Sequence, residues 1–161
     1  MISPNSSGRI LAKLVASVPA SVDPATVRER IGAYYASYAA GDVAGREALF
    51  ATDCSFEDPA GRVVATGREP MHRFFTEVLP ADWSIAFELH RVAVVGDEAL
   101  ATTTMTLRAG QRTPVEVVVQ SHFVLAASGL IRSVRTFFDE VAMRDVPPDG
   151  AEPDDAGRAA R

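Results

Sequence analysis

Asp58 has the setting that most suggests chemistry in this chain. It closes the stretch Cys54-Ser55-Phe56-Glu57-Asp58-Pro59-Ala60-Gly61, which reads as a short strand running into a turn. Alternation sets Cys54, Phe56 and Asp58 on one face and Ser55 and Glu57 on the other. A carboxylate that continues an apolar row must be hydrogen-bonded, protonated or used, because an unpaired buried charge is expensive. Pro59 stops the strand, since the residue before a proline is held extended and proline cannot donate to a ladder. The competing role for Asp58 is an Asx cap on the Ala60-Gly61 turn.

Two hydroxyls also enter apolar rows. Ser121 shares a predicted strand face with Val115, Val117, Val119, Phe123 and Leu125, and Tyr34 shares a helical stripe with Val27, Ile31, Tyr35 and Tyr38. Plainer roles exist for both: a serine bonded to a backbone carbonyl, and a core tyrosine whose hydroxyl reaches a backbone group or the surface. The histidines offer less. His122 falls on the face opposite Ser121, His72 on the polar side of a helix, and His90 on a face with Glu88 and Val92, opposite Ile85, Phe87 and Leu89. Their spacing does not converge on a metal site, and no phosphate-binding glycine loop or nucleophile elbow occurs, so no cofactor or metal is expected.

The elements that must position these groups follow from periodicity and caps. Asp23-Pro24 opens a helix running to about Ala40, closed by Gly41, and Asp42 caps a second helix over 43–50 that carries Leu49 and Phe50 inward. A short strand or an extended loop is expected at 62–65. Thr66 and Glu69 then spell a capping box for a third helix, with Met71, Phe74, Phe75 and Val78 on its apolar face and Pro80 at its end. Beyond Trp83 the period becomes two. Strands are predicted near 84–95, 98–109, 113–126 and 130–141, joined by turns at Gly96-Asp97, Gly110-Gln111 and Ser128-Gly129. In the last strand, Leu130, Arg132, Val134, Thr136 and Phe138 should point inward, with Ile131 and Phe137 outward. The expected class is α+β, an antiparallel meander curving around three helices on one face. Phe50, Phe56, Phe74, Phe75, Met105, Phe123 and Phe138 would then set the volume of any pocket.

At 161 residues the chain suits one domain, here assigned to 23–142, after a loose extension at 1–22 that includes a short helix near 9–18. An acidic, proline- and glycine-rich tail at 143–161 is expected to be disordered. A net charge of -5, with 21 acidic against 16 basic residues, argues against nucleic acid or an anionic membrane as partner. A small apolar ligand fits better. The single cysteine, Cys54, cannot form an internal disulfide and sits on an inward face, which suits a reducing, cytoplasmic setting. The exposed sheet face bearing Val118 and Val124 suits a homodimer.

Tyr34-Tyr35-Ala36-Ser37-Tyr38-Ala39-Ala40-Gly41-Asp42, Ala48-Leu49-Phe50-Ala51-Thr52-Asp53, Phe56-Glu57-Asp58-Pro59-Ala60-Gly61, Gly67-Arg68-Glu69 and Ser133-Val134-Arg135-Thr136-Phe137-Phe138 resemble the bacterial ketosteroid isomerases. The resemblance spans about residues 27 to 141. It implies the cone-shaped, nuclear transport factor 2-like fold shared with SnoaL-like polyketide cyclases and limonene-type epoxide hydrolases: three helices, a strongly curved sheet around an apolar pocket, and usually a homodimer. By the same resemblance Asp58 is the general base that moves a proton between two carbons of a dienolate, and Tyr34 donates to the oxyanion. The family's second donor is a protonated aspartate; here Ser121 stands at that position. A further departure is Phe75, where the family often has a tyrosine. Three functions are therefore weighed: an isomerase of steroid-like or polycyclic enones, a polyketide or terpenoid cyclase or epoxide opener, and a binding module without chemistry. The epoxide hydrolases' Asp-Arg-Asp set is not found; Arg132 is the arginine expected to point inward.

Overall fold

Caps and turns in the computed structural model, which describes residues 7–146, explain where its elements begin and end. Helix α1 spans Gly8–Ala16 and leaves Ile10, Leu11 and Leu14 exposed. Helix α2, Pro24–Ala40, starts where Asp23 accepts a hydrogen bond from the Ala25 amide at 2.7 Å, and ends at Gly41, whose φ of 64° is the left-handed conformation glycine adopts readily. Asp42 accepts from the Gly45 amide at 2.8 Å and opens α3, Val43–Ala48. The helix stops earlier than its apolar residues suggest. Leu49 is its C-cap and Phe50 already belongs to strand β1, Phe50–Glu57.

Strand β2 covers Val63–Thr66 and helix α4 Arg68–Glu77. The expected capping box does not form. Thr66 is engaged in the β1–β2 ladder opposite Ser55, and Gly67, at φ 80°, takes the N-cap position. Strands β3 (Trp83–Val95), β4 (Glu98–Ala109), β5 (Val115–Leu125) and β6 (Ile131–Phe137) form the predicted meander. A short β7, Met143–Asp145, pairs with β5. The regular chain therefore continues past residue 142, where the tail was expected to start; residues 147–161 of that tail lie outside the described residues.

The sheet order is β2-β1-β6-β5-β4-β3. Every pair is antiparallel except β1 with β6, so the sheet is mixed, not purely antiparallel as the meander alone implies. The parallel pair is possible because the whole α4–β5 segment intervenes between the two strands. Inside the curve, Val27, Ile31, Tyr34 and Tyr35 from α2 meet Phe50, Phe56, Phe123 and Val134 from the sheet. Helix α4 adds Met71, with Phe74 and Phe75 packed alongside, so faces of two helices close the same sheet face.

Two irregularities change which side chains face it. A register shift between Leu89 and Arg91 accommodates His90 as the extra residue. After it, Val92 packs against the core, opposite to the expected phase, while His90 stays exposed and bonds Thr104 Oγ1 at 2.8 Å. A second shift follows Val124. Ile131 consequently becomes fully buried and Arg132 exposed, reaching Asp53 at 3.5 Å. A bulge inserts one residue against none and reverses the alternation beyond it.

The assignment at residues 131 and 132 can be checked by urea denaturation. Ile131→Ala should cost about 2–5 kcal/mol through the cavity it leaves, and Arg132→Ala about 0.5 kcal/mol or less. The reverse order would return Arg132 to the interior.

Candidate active site

Asp58 stands at the end of β1, where the strand turns. Two carboxylates meet there and divide the work. Glu57 Oε2 accepts from the Gly61 amide at 2.7 Å and from Arg135 Nε at 3.0 Å, and these bonds hold its pKa below the usual carboxylate value, the amide contributing most. The Asx-type capping considered for Asp58 is therefore done by Glu57. Asp58 Oδ1 instead accepts a hydrogen bond from Thr136 Oγ1, 2.5 Å away across the β1–β6 pair. It borders an interior cavity.

That cavity has two connected parts. An outer chamber of about 320 Å³ is walled by Phe74, Phe75, Val78, Leu79, Ile85 and Tyr38, with Arg46 also on its surface. An inner chamber of about 40 Å³ is bordered by Tyr34, Tyr35, Val119, Ser121 and Thr136. Asp58, Phe87, Met105 and Phe138 line both. Asp58 is the one carboxylate among the lining residues of either chamber. A wider groove of about 510 Å³ next to Phe137 and Ala142 is open to solvent and includes neither Tyr34 nor Ser121.

The inner chamber collects hydroxyls on an aromatic floor. Tyr34 Oη lies 3.1 Å from Tyr38 Oη, one helical turn further along α2. Its ring makes edge contacts with Tyr35, Phe50 and Phe123 at centroid distances of 5.0, 5.9 and 5.6 Å. Burial is the largest influence on Tyr34 and pushes its pKa well above 10.0; the Arg46 charge pulls the other way. Burial likewise raises Tyr35 to about 12, with the nearby Ser121 and Thr103 hydroxyls opposing it. Neither completes a well-formed bond, and Tyr35 Oη is buried without a hydrogen-bond partner. Ser121, 3% exposed, sits opposite Thr136 in the β5–β6 register and opposite Ala101 on β4. Neutral phenols and a serine hydroxyl are groups that can donate to an oxygen that gains charge.

The structure brings Asp58, Tyr34, Ser121, Met105 and Phe138 to the inner chamber, and Phe75 to the outer one. Phe50, Phe56 and Phe123 do not line either. They form a second layer: Phe50 and Phe56 contact Phe75 with centroids 5.6 and 6.3 Å apart, and Phe123 backs Tyr34 and Tyr35. Three residues escaped the sequence reading. Thr136 has its signal in the inward phase of β6, whereas Tyr38 was visible only as part of the α2 stripe. Arg46 is the inward arginine in place of Arg132. It is 5% exposed, donates from Nε to Ser37 Oγ at 2.9 Å and stacks with its guanidinium carbon 3.4 Å from the Tyr38 ring centroid. His72, His90 and His122 pair with Glu47, Glu88 and Glu98 away from the cavity. Among the described residues no cluster of His, Cys, Asp or Glu could hold a metal ion, and no helix is long and apolar enough to cross a membrane.

A helix-filled curved sheet around a cavity of this kind is the nuclear transport factor 2-like fold. The SnoaL-like domain matches residues 31–146, and the chain belongs to that family. A steroid Δ-isomerase of Nocardioides simplex is 30% identical over 116 residues, 71% of this chain and 90% of that protein. The epoxide hydrolase/cyclase-like enzyme SalBIII, with a role in pyran ring formation in the polyether salinomycin, superposes with a TM-score of 0.69 at 22% identity, covering 77% of this chain and 98% of SalBIII. A Mycobacterium tuberculosis protein solved with estradiol-17β-hemisuccinate gives a TM-score of 0.65 at 19% identity, covering 74% of this chain and 98% of its own. The two superpositions, at identities below 25%, show the shared fold alone.

Tyr35 provides a test through linkage. A folded-state pKa raised from 10.0 to about 12 means the native state keeps a proton that the unfolded chain releases, so this stability is complete below pH 10 and is lost as pH rises toward 12. For Tyr35 alone the loss is about 1 kcal/mol at pH 11. Urea midpoints at pH 8 and 11 should differ less in Tyr35→Phe than in the wild type. At pH 8 the variant should be as stable as the wild type or slightly more so, since its lost hydroxyl had no partner.

Proposed function

We propose that the chain is an isomerase that moves a double bond in a steroid-like or other polycyclic enone. The observation carrying this reading is a carboxylate, Asp58, at the junction of both chambers with one hydrogen bond from Thr136 and the Tyr34–Tyr38 pair nearby. A β,γ-unsaturated ketone would lie with its apolar body in the outer chamber and its carbonyl in the inner one. Asp58 takes the proton from the carbon between the carbonyl and the double bond. The electron pair left behind delocalises into a dienolate, whose oxygen accepts a hydrogen bond from Tyr34. Protonated Asp58 then returns the proton at the γ carbon, leaving the double bond conjugated with the carbonyl. No atom is gained or lost.

The surrounding groups support each role. Tyr38 can donate to Tyr34 Oη, freeing the Tyr34 proton for substrate, and the Arg46 cation stacked on Tyr38 favours negative charge at both phenols. Ser121 is the second donor. Its hydroxyl is a weaker acid than the carboxylic acid the family uses there, and removal of one oxyanion donor typically costs about 3 kcal/mol. The chemistry should be slower than in an enzyme with the full pair. The 30% identity to a steroid Δ-isomerase across 90% of that protein supports the same reading.

A second reading, cyclisation or epoxide opening, draws support from the superposition on SalBIII. Opening an epoxide with paired acid and base residues calls for two groups across the substrate, and Asp58 is the single carboxylate on the cavity wall. A homodimer is proposed as the working assembly, since Leu100, Val118 and Phe137 leave apolar surface on the strands, at 46%, 46% and 44% exposure.

Conversion of a β,γ-unsaturated 3-ketosteroid to its conjugated enone, followed by absorbance, tests the reaction. Asp58→Asn should lower kcat by about 10²–10⁴-fold while steroid affinity is kept or improved, because a neutral ring system does not need the carboxylate for binding. Tyr34→Phe should cost up to about 10²–10³-fold, less if Ser121 shares the oxyanion. Undiminished turnover in Asp58→Asn would refute the assignment of the base. Turnover absent from the wild type, with steroid still bound, would favour the cyclase or a binding role without chemistry.

A further inference from the structure

Arg46 is a cation in the wrong place for a purely structural role. A guanidinium keeps its charge at any physiological pH and carries five N–H donors. Burying it without an anion is costly unless its donors are met. Here Nε–H goes to Ser37 Oγ, and Ser37 in turn donates to the Tyr34 carbonyl at 2.6 Å. The flat face is covered by the Tyr38 ring at 3.4 Å and approached by the Phe75 ring at 5.1 Å. These contacts fix the position and plane of the group. They leave its terminal nitrogens without an acceptor among the described residues, and no described carboxylate forms an ion pair with it. The neighbouring Glu47 is bound to His72 instead, at 2.7 Å.

Position within the cavity narrows what those nitrogens could meet. Arg46 borders the outer chamber and not the inner one, whereas Tyr34 and Ser121 border the inner chamber and not the outer one. The oxygen held by Tyr34 and Ser121 is therefore not the partner of Arg46. Apart from Asp58 and Tyr38, the wall of the outer chamber is apolar, with Phe74, Phe75, Val78, Leu79 and Ile85 among its residues, so a ligand anion beside the arginine would be sheltered from water and felt strongly.

We infer that Arg46 is an anion anchor, and that the cavity takes a substrate with an acidic group, a carboxylate, on the end of its apolar body remote from the reacting carbonyl. The inference rests on the reading that this cavity is the substrate site. A planar guanidinium fixed in place on a cavity wall suits the two oxygens of a carboxylate, which it can meet with parallel N–H bonds.

The test compares naphthyl-alkanoic acids, with one to four methylenes between ring and carboxyl, against their methyl esters by fluorescence titration at pH 7.5 and low salt. In the wild type at least one acid should bind about tenfold or more tightly than its ester, the size of one charge-assisted bond. Arg46→Met should abolish that difference and Arg46→Lys should keep part of it. Enone isomerisation is measured on the same preparations. Because Arg46→Met removes a buried stack and can fail to fold, the wild-type comparison is decisive on its own: no acid preferred over its ester overturns the anchor. If that result accompanies enone turnover, the anchor falls and the isomerase stands. If neither ligand binds and the enone is not converted, both fall.

Discussion

The hydrogen bond from Thr136 to Asp58 is the contact on which the site's geometry depends. It crosses the parallel seam between β1 and β6, which join two parts of the chain separated by nearly eighty residues. A carboxylate at a strand end could fold back on its own turn, as aspartates often do. Thr136 gives it a partner on the cavity side, and Glu57 removes the reason to turn back by satisfying the Gly61 amide. The seam therefore does more than complete a sheet. It aims one of two adjacent acids inward and leaves the other at the surface with Arg135.

Around that seam, aromatic side chains form layers of decreasing polarity. Tyrosines 34, 35 and 38 project from one face of α2, their hydroxyls toward the chambers and their rings against Phe87 and Phe123. Behind them Phe50 and Phe56 fill the space to α4. Such rings add about 0.5–1.5 kcal/mol per edge contact beyond the area they bury, so the wall of the cavity is also a large part of the core. Cavity shape and stability are thus specified by overlapping residues.

Much of this was written locally. Strict alternation around Asp58 and Ser121, and the helical stripe through Tyr34, carry both the fold and three candidate site residues, because each depends on neighbours within one element. What failed depended on contacts between elements. Arg46 lies in a six-residue helix between Gly45 and Glu47, where a charged residue reads as solvent-facing; the packing of α3 against α2 and α4 buries it. Arg132 was given the wrong face because the shift after Val124 makes it the extra residue and changes the phase at the start of β6, Val134 and Thr136 keeping theirs, and the shift at His90 changed the face of Val92. Thr66 has the sequence of a cap, yet ladder pairing with Ser55 holds it in β2. The parallel β1–β6 pair has no local signature at all.

The adjacency of Glu57 and Asp58 has an energetic corollary. In the proposed reaction Asp58 alternates between charged and neutral forms at every turnover. Had that same group also fastened the turn, each protonation would have slackened the backbone beneath it, and part of the proton's binding energy would have gone into deforming the scaffold. With Glu57 fastened to Gly61 and Arg135, the turn is held by a charge that does not change during the cycle. Basicity and backbone integrity can then be tuned separately, although the residues responsible are consecutive in the chain.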